Sequence, residues 1–118
     1  MHPVLKQAFE IEMDKAKTLY KESKYTECFS HLERAHILGQ RFVYPHTVNH
    51  WWMLKVGIRK KDNREILGQL VRLAVAGIGS LLGRVPIGNT GGSNIGIMKV
   101  LPIEGDLKVL FDRAGEVK

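Results

Sequence analysis

Apolar residues recur at spacings of three and four along the first 84 residues of the chain, and this period ends at a glycine-rich segment. The spacing is that of one face of an α-helix, so it predicts amphipathic helices. We expect four of them, over residues 3–22, 25–40, 43–60 and 64–82. A chain of 118 residues has room for one domain. We therefore predict a single all-α domain with a four-helix core over residues 3–84.

The first two predicted helices are joined by a break of one or two residues at Ser23 and Lys24. A helix pair of this size resembles a tetratricopeptide hairpin. The likeness lies in small, apolar and aromatic positions: Ala16, Leu19, Tyr20, Tyr25, Phe29, Leu32 and Ala35. No second unit of about 34 residues follows, so a repeat array is not expected.

The composition changes sharply after the fourth predicted helix, because five of the twelve glycines fall within residues 83–96. Apolar residues are nevertheless too numerous there for a disordered tail. We expect an extended arm over residues 85–118, laid across helices of its own subunit or a partner's. A short terminal helix is expected near Leu107 and Phe111. The fourth helix is apolar on nearly all sides, which predicts a place at the centre of the bundle or under the arm.

Four polar residues stand where the apolar stripes call for apolar side chains: Glu12, His36, His46 and His50. Burying an unpaired carboxylate costs several kcal/mol, so such a group needs partners, and imidazoles can supply them. If consecutive helices are antiparallel, Glu12 lies level with about residue 34. His36 then lies level with about residue 48, between His46 and His50. One layer of the bundle is therefore predicted to collect all four residues.

His46 and His50 are four residues apart, on one face of the third predicted helix. That spacing suits two imidazoles on one metal ion. With His36 and Glu12 they would complete a ligand set for a divalent transition metal, namely zinc, iron, manganese or copper, among which ligand softness does not choose. Glu33 and His36 form the Glu-x-x-His pair of di-iron bundles, but no second pair follows. Hydrogen-bonded core histidines remain the alternative at this stage.

His31 and Cys28 are predicted to lie outside the metal site. His31 should face away from His36 on an ideal helix, which favours the surface. Cys28 is the only cysteine and is predicted to be a small core residue rather than a ligand. Residues 66–83 are apolar but contain Gln69 and Arg72, so they favour a core helix over a membrane span. With no apolar leader at the start, a cytoplasmic location is expected.

The net charge is +6, and both halves of the chain contribute equally. The one basic cluster consists of Lys55, Arg59, Lys60, Lys61 and Arg64. Such a cluster at a turn between helices is more typical of a solvated corner, so nucleic-acid binding is not expected. A homodimer is expected, with the fourth helices in contact through Ala76, Gly79, Ser80 and Gly83. The rival to a metal-binding protein is a helical protein-interaction module.

Several motifs carry a resemblance that spans the chain from Phe9 to Leu107. They are residues 31–40 (HLERAHILGQ), 67–70 (LGQL), 83–92 (GRVPIGNTGG) and 101–103 (LPI). Together they resemble a family of short bacterial proteins catalogued as a domain of unknown function. Members of that family are often encoded near mercury, copper or other heavy-metal resistance genes. The resemblance implies a metal-linked role, assigns no activity and supplies no catalytic residues.

Overall fold

The computed structural model describes residues 1–83 and 85–115, and this part of the chain holds five α-helices and no strand. The helices are α1 Pro3–Lys21, α2 Tyr25–Gly39, α3 Val43–Lys60, α4 Asn63–Leu81 and α5 Gly105–Arg113. The all-helical prediction is confirmed. The bounds of α1 to α4 lie within one residue of those predicted from the apolar spacing.

Local signals at the helix ends explain this agreement. Pro3 occupies the first turn of α1, where its missing N–H would have no helical partner. Ser23, at the turn into α2, and Lys61, at the end of α3, both have left-handed backbone conformations that stop a helix. Asp62 begins α4, where its side chain accepts a hydrogen bond from the backbone N–H of Glu65 at 3.1 Å.

The hydrophobic core lies between α1, α2, α3 and the C-terminal end of the chain. α1 packs against α2, α2 against α3, α3 against α4, and α5 lies on α1. Ile103, Leu107 and Phe111 enter the same buried cluster as the apolar residues of α1 to α3. α5 is therefore part of the core, and the terminal helix predicted around Leu107 and Phe111 spans Gly105–Arg113.

α4 presents its polar residues to the interior and its apolar residues to solvent. The buried stripe consists of Gln69, Arg72, Ala76 and Ser80. Large apolar side chains on the other side are 45 to 77% exposed: Leu67, Leu70, Val71, Val75, Ile78, Leu81 and Leu82. Of the two places predicted for α4, the centre of the bundle is therefore wrong, whereas the place under the arm agrees with the contacts from Gln69 and Arg72 to the arm. None of the described helices is long and apolar enough to cross a membrane.

The extended arm that joins α4 to α5 lies on helices of its own chain. Side chains from those helices donate to its carbonyl groups: Gln40 to Pro86 O at 2.8 Å, Gln69 to Gly91 O at 2.9 Å and Arg72 to Ile95 O at 2.9 Å. Buried carbonyl groups without a helix or sheet need such donors. These contacts hold the arm in one path across α2 and α4.

Candidate metal centre

Three imidazoles meet in the interior, one from α2 and two from α3. Nε2 of His36 lies 3.0 Å from Nε2 of His46 and 3.1 Å from Nε2 of His50, and the latter two lie 3.0 Å apart. All three residues are buried. His46 and His50 share a face because they are one helical turn apart. The short connection between α2 and α3 folds the last turn of α2 back onto that face.

The Nδ1 atoms of His36 and His50 each point to an oxygen that can only accept a hydrogen bond. His36 Nδ1 lies 2.6 Å from the carbonyl oxygen of Asn89. His50 Nδ1 lies 2.7 Å from Oε1 of Gln69, whose amide nitrogen donates to Glu65 at 2.6 Å and to Gly91 O at 2.9 Å. These two acceptors fix the orientation of the Gln69 amide, so both histidines carry their proton on Nδ1.

His46 is held in the same tautomer by a serine. Its Nδ1 lies 2.8 Å from Oγ of Ser80, and Ser80 donates its single hydroxyl proton to the carbonyl oxygen of Gln40 at 2.8 Å. The serine oxygen must therefore accept from His46 Nδ1–H. All three neutral imidazoles thus direct an unprotonated Nε2 to a common centre. Hydrogen bonds of this kind, on the nitrogen remote from the ion, typically orient metal-binding histidines.

Burial keeps the three histidines in their neutral form. Desolvation lowers the pKa of His46 to about 4 and, with the nearby His46, lowers the pKa of His50 to about 3. Desolvation, and then the two neighbouring imidazoles, lower the pKa of His36 well below its usual range. A charged imidazole in this cluster would lose its hydration and face like charges. The neutral form is the one that binds a metal ion.

The separation of the three nitrogens fits one transition-metal ion. Nitrogen atoms 3.0–3.1 Å apart can all reach one ion with metal–nitrogen bonds of about 2.0–2.1 Å, so Nε2 of His36, His46 and His50 would hold it. Three imidazoles with an open position are a ligand set that zinc enzymes use.

A cavity of about 210 Å³ opens onto the three histidines. Most of its other lining side chains are apolar, and they come from the second half of α4 and from the arm, including Val75, Ile78, Val85, Ile97 and Met98. Arg72 is the charged exception. The histidines therefore lie at the end of a mainly apolar cavity, large enough to admit a small molecule.

The structure does not bring Glu12 to the histidine cluster. Its carboxylate lies 2.7 Å from Nδ1 of His31 and accepts a hydrogen bond from Nε of Arg34 at 3.0 Å. Arg34 also pairs with Asp106 at the start of α5. Glu12 thus connects α1 to α2 and, through Arg34, to α5. Its side chain therefore faces His31 and Arg34 rather than the cluster.

Two other residues considered from the sequence also lie apart from the histidines. Among the described residues, the group close enough to hold an ion consists of the three histidines alone. Cys28 is buried in the core, and desolvation raises its pKa to about 11, so it remains a thiol. Glu33 lines a different cavity together with Glu65. The Glu-x-x-His spacing therefore has no metal-binding counterpart in the described structure.

Sequence reasoning missed the residues that hold the histidines: Gln69, Ser80 and Asn89. A signal for two of them was present, because Gln69 and Ser80 interrupt the apolar run of α4 at helical spacing, and they lie on its buried face. Asn89 acts through its main chain, which no side-chain pattern reveals. Its amide side chain shapes the arm by donating to Gly96 O at 3.0 Å and Lys99 O at 2.8 Å.

A family model described as a protein of unknown function, DUF3703, matches residues 3–111. The chain belongs to this family. The match confirms the resemblance to a domain of unknown function, and the family's description assigns no activity. Neither a curated protein nor a solved structure matches the chain. Evidence on function therefore comes from the geometry of the site.

Gly91 provides a test of the packing around the cluster. Its φ is 87°, and a Cβ atom there would lie 2.6 Å from Cδ2 of His36. Gly91→Ala should therefore lower the free energy of unfolding by about 1–3 kcal/mol in urea denaturation, because both backbone and ring are strained. Gly96→Ala is the matched control, since its nearest new neighbour would be 3.9 Å away. Equal stability of the two variants would contradict this packing.

The lowered histidine pKa values predict a pH dependence for the metal-free protein. An unfolded histidine titrates near pH 6.5, so below that pH the unfolded chain binds more protons than the folded chain. The free energy of unfolding should therefore fall as the pH decreases from 6.5 to 5, by about 1.4 kcal/mol per pH unit for each fully linked histidine. Urea denaturation after chelation measures this slope, with His2→Ala as control. A flat profile would contradict burial of neutral histidines.

Proposed function

We propose that this protein binds one divalent transition-metal ion through Nε2 of His36, His46 and His50. The observation that carries the proposal is the convergence of three unprotonated nitrogens within 3.0–3.1 Å of one another. Each nitrogen is left without a proton because the opposite nitrogen of its ring donates to a fixed oxygen. A cation at the centre would satisfy all three lone pairs at once.

A purely structural role accounts less well for this geometry. Core histidines that stabilise a fold use one ring nitrogen as donor and the other as acceptor, each with its own partner. Here three acceptors face one another, and lone pairs at this distance repel unless a positive charge lies between them. Such an arrangement is retained when a ligand supplies that charge. The metal-linked role implied by the family resemblance agrees with this.

The ligand chemistry narrows the choice of metal. Imidazole nitrogen suits zinc, copper and iron, whereas manganese prefers carboxylate oxygen. Because Glu12 pairs with His31 and Arg34 instead, the set favours the first three metals over manganese. Three protein ligands leave at least one position open, which is typical of sites that act on or exchange a bound molecule. We therefore infer a reactive or exchanging site rather than a closed structural one.

Replacing a ligand tests the proposal directly. His46→Ala and His50→Ala should each lower the affinity for Zn²⁺ at least about tenfold, because each removes a bond to the ion. Metal content after dialysis, measured by elemental analysis, checks this on untagged protein. Glu12→Gln and His31→Ala are controls that should retain the unmodified affinity within a few-fold. Equal metal content in the unmodified protein and the double variant would instead favour the helical interaction module.

We also propose that the exposed face of α4 joins two copies of the chain. Between Leu67 and Leu82 the one charged residue is Arg72, and it is buried. The exposed side is therefore apolar and uncharged, and such a face can meet its own copy about a two-fold axis without leaving a charge unpaired. The sequence predicted a contact that includes Ala76 and Ser80. Both residues are buried within the chain, so they are not available for contact with a second copy.

Light scattering coupled to size exclusion tests the dimer. The unmodified protein should show about twice its chain mass of 13.4 kDa at high micromolar concentration. Leu70→Glu with Ile78→Glu should give the monomer, because each chain would bring two charges to the interface and all four would be desolvated there. Val109→Glu is the control, since Val109 is 56% exposed on α5, away from this face. A monomeric unmodified protein would reject the dimer.

A further inference from the structure

The Arg72 side chain points to the interior of the protein, although α4 has a solvent-exposed side on which an arginine would be hydrated. It is the only charged residue from Ile66 to Leu82, yet it is 8% exposed, while large apolar side chains of the same helix face solvent. The opposite rotation of α4 would bury leucines and hydrate the guanidinium, which is the ordinary arrangement of an amphipathic helix. The observed rotation places the guanidinium beside the cavity that opens onto the three histidines.

Two carbonyl oxygens hold Arg72 in place, and neither of them carries a charge to pair with the guanidinium. Nη1 donates to Gly68 O at 3.1 Å, and Nη2 donates to Ile95 O at 2.9 Å. An arginine carries five N–H donors, so three remain beyond those two contacts. Among the described residues no carboxylate forms an ion pair with Arg72. Burial lowers its pKa and the neighbouring Glu65 opposes that effect, but a guanidinium stays charged in proteins.

Among the described residues that line this cavity, none carries a negative charge that could balance a metal ion. The three ligands are neutral imidazoles. Glu65 is separated from His50 by the amide of Gln69, and it also accepts hydrogen bonds from the backbone and side chain of Ser93. A divalent ion and the guanidinium would thus present three positive charges to an otherwise apolar cavity. Positive charges gathered in one cavity attract an anion.

We propose that the cavity binds a small organic carboxylate, with its oxygens between Arg72 and the metal ion. Its apolar body would lie on the buried or half-buried apolar residues of the lining, Ala76, Val85 and Pro86. The volume of about 210 Å³ exceeds the roughly 150 Å³ of an apolar cavity that admits benzene, which suits a molecule the size of benzoate. The apolar lining favours an organic anion over inorganic phosphate. This inference rests on the proposed metal site.

Calorimetric titration of zinc-loaded protein tests the carboxylate site. Elemental analysis first establishes one ion per chain, and benzoate, benzyl alcohol and inorganic phosphate are then titrated separately. Benzoate should bind at least about tenfold more tightly than benzyl alcohol, because only benzoate pairs with the guanidinium. Arg72→Met should lower benzoate affinity at least about tenfold, whereas Arg64→Met, which removes an exposed arginine of α4, should not change it. Circular dichroism verifies that both variants fold.

The outcomes separate this inference from the metal site. One bound ion with no preference for benzoate over benzyl alcohol would overturn the carboxylate site and leave the metal site intact. Tighter binding of phosphate than of benzoate would also overturn it. If no ion binds, the metal proposal fails. Benzoate is then titrated into the metal-free protein, where a preference for benzoate over benzyl alcohol would support a carboxylate site at Arg72 and equal binding would overturn it. The comparison of benzoate with benzyl alcohol needs no variant, so it decides the matter even if Arg72→Met does not fold.

Discussion

The hydrogen bond from each Nδ1–H to a fixed oxygen is the interaction on which the rest of the structure depends. The acceptors come from three places: the arm for His36, the end of α4 for His46 and the first half of α4 for His50. The imidazoles can aim at one point only while α2, α3, α4 and the arm keep their relative positions. The helices and the arm thus hold these oxygens in register.

This requirement explains why α4 is turned with its polar side inward. Gln69 and Ser80 must reach the histidines, and Arg72 lies on the same stripe between them. The consequence is a row of leucine, isoleucine and valine side chains in solvent, which opposes the usual arrangement of a soluble helix. Proteins depart from such rules at functional sites, where local stability is sacrificed for geometry.

Much of the helical framework could be predicted from the sequence, because apolar spacing and turn residues are local signals. The three histidines were placed in one layer since hairpin register follows from the turn positions. Register predicts the height of a residue along a helix but not the direction of its side chain, and the Glu12 carboxylate pairs with His31 and Arg34 instead of facing the histidines. The buried side of α4 could not be predicted from the sequence, because the helix is apolar on nearly all sides. It depends on the path of the arm, which is set by contacts such as that from Gln69 to Gly91 O.

The contacts that fix the three tautomers join residues 53, 34 and 19 positions apart. Closing such loops is entropically unfavourable in an open chain, so the oriented cluster exists only in the fully folded state. A ligand that needs all three nitrogens discriminates between folded and unfolded chains, and by mass action it adds about 2.7 kcal/mol of stability at a hundredfold excess over its Kd. Occupancy of such a site would then be coupled to the stability of the whole fold.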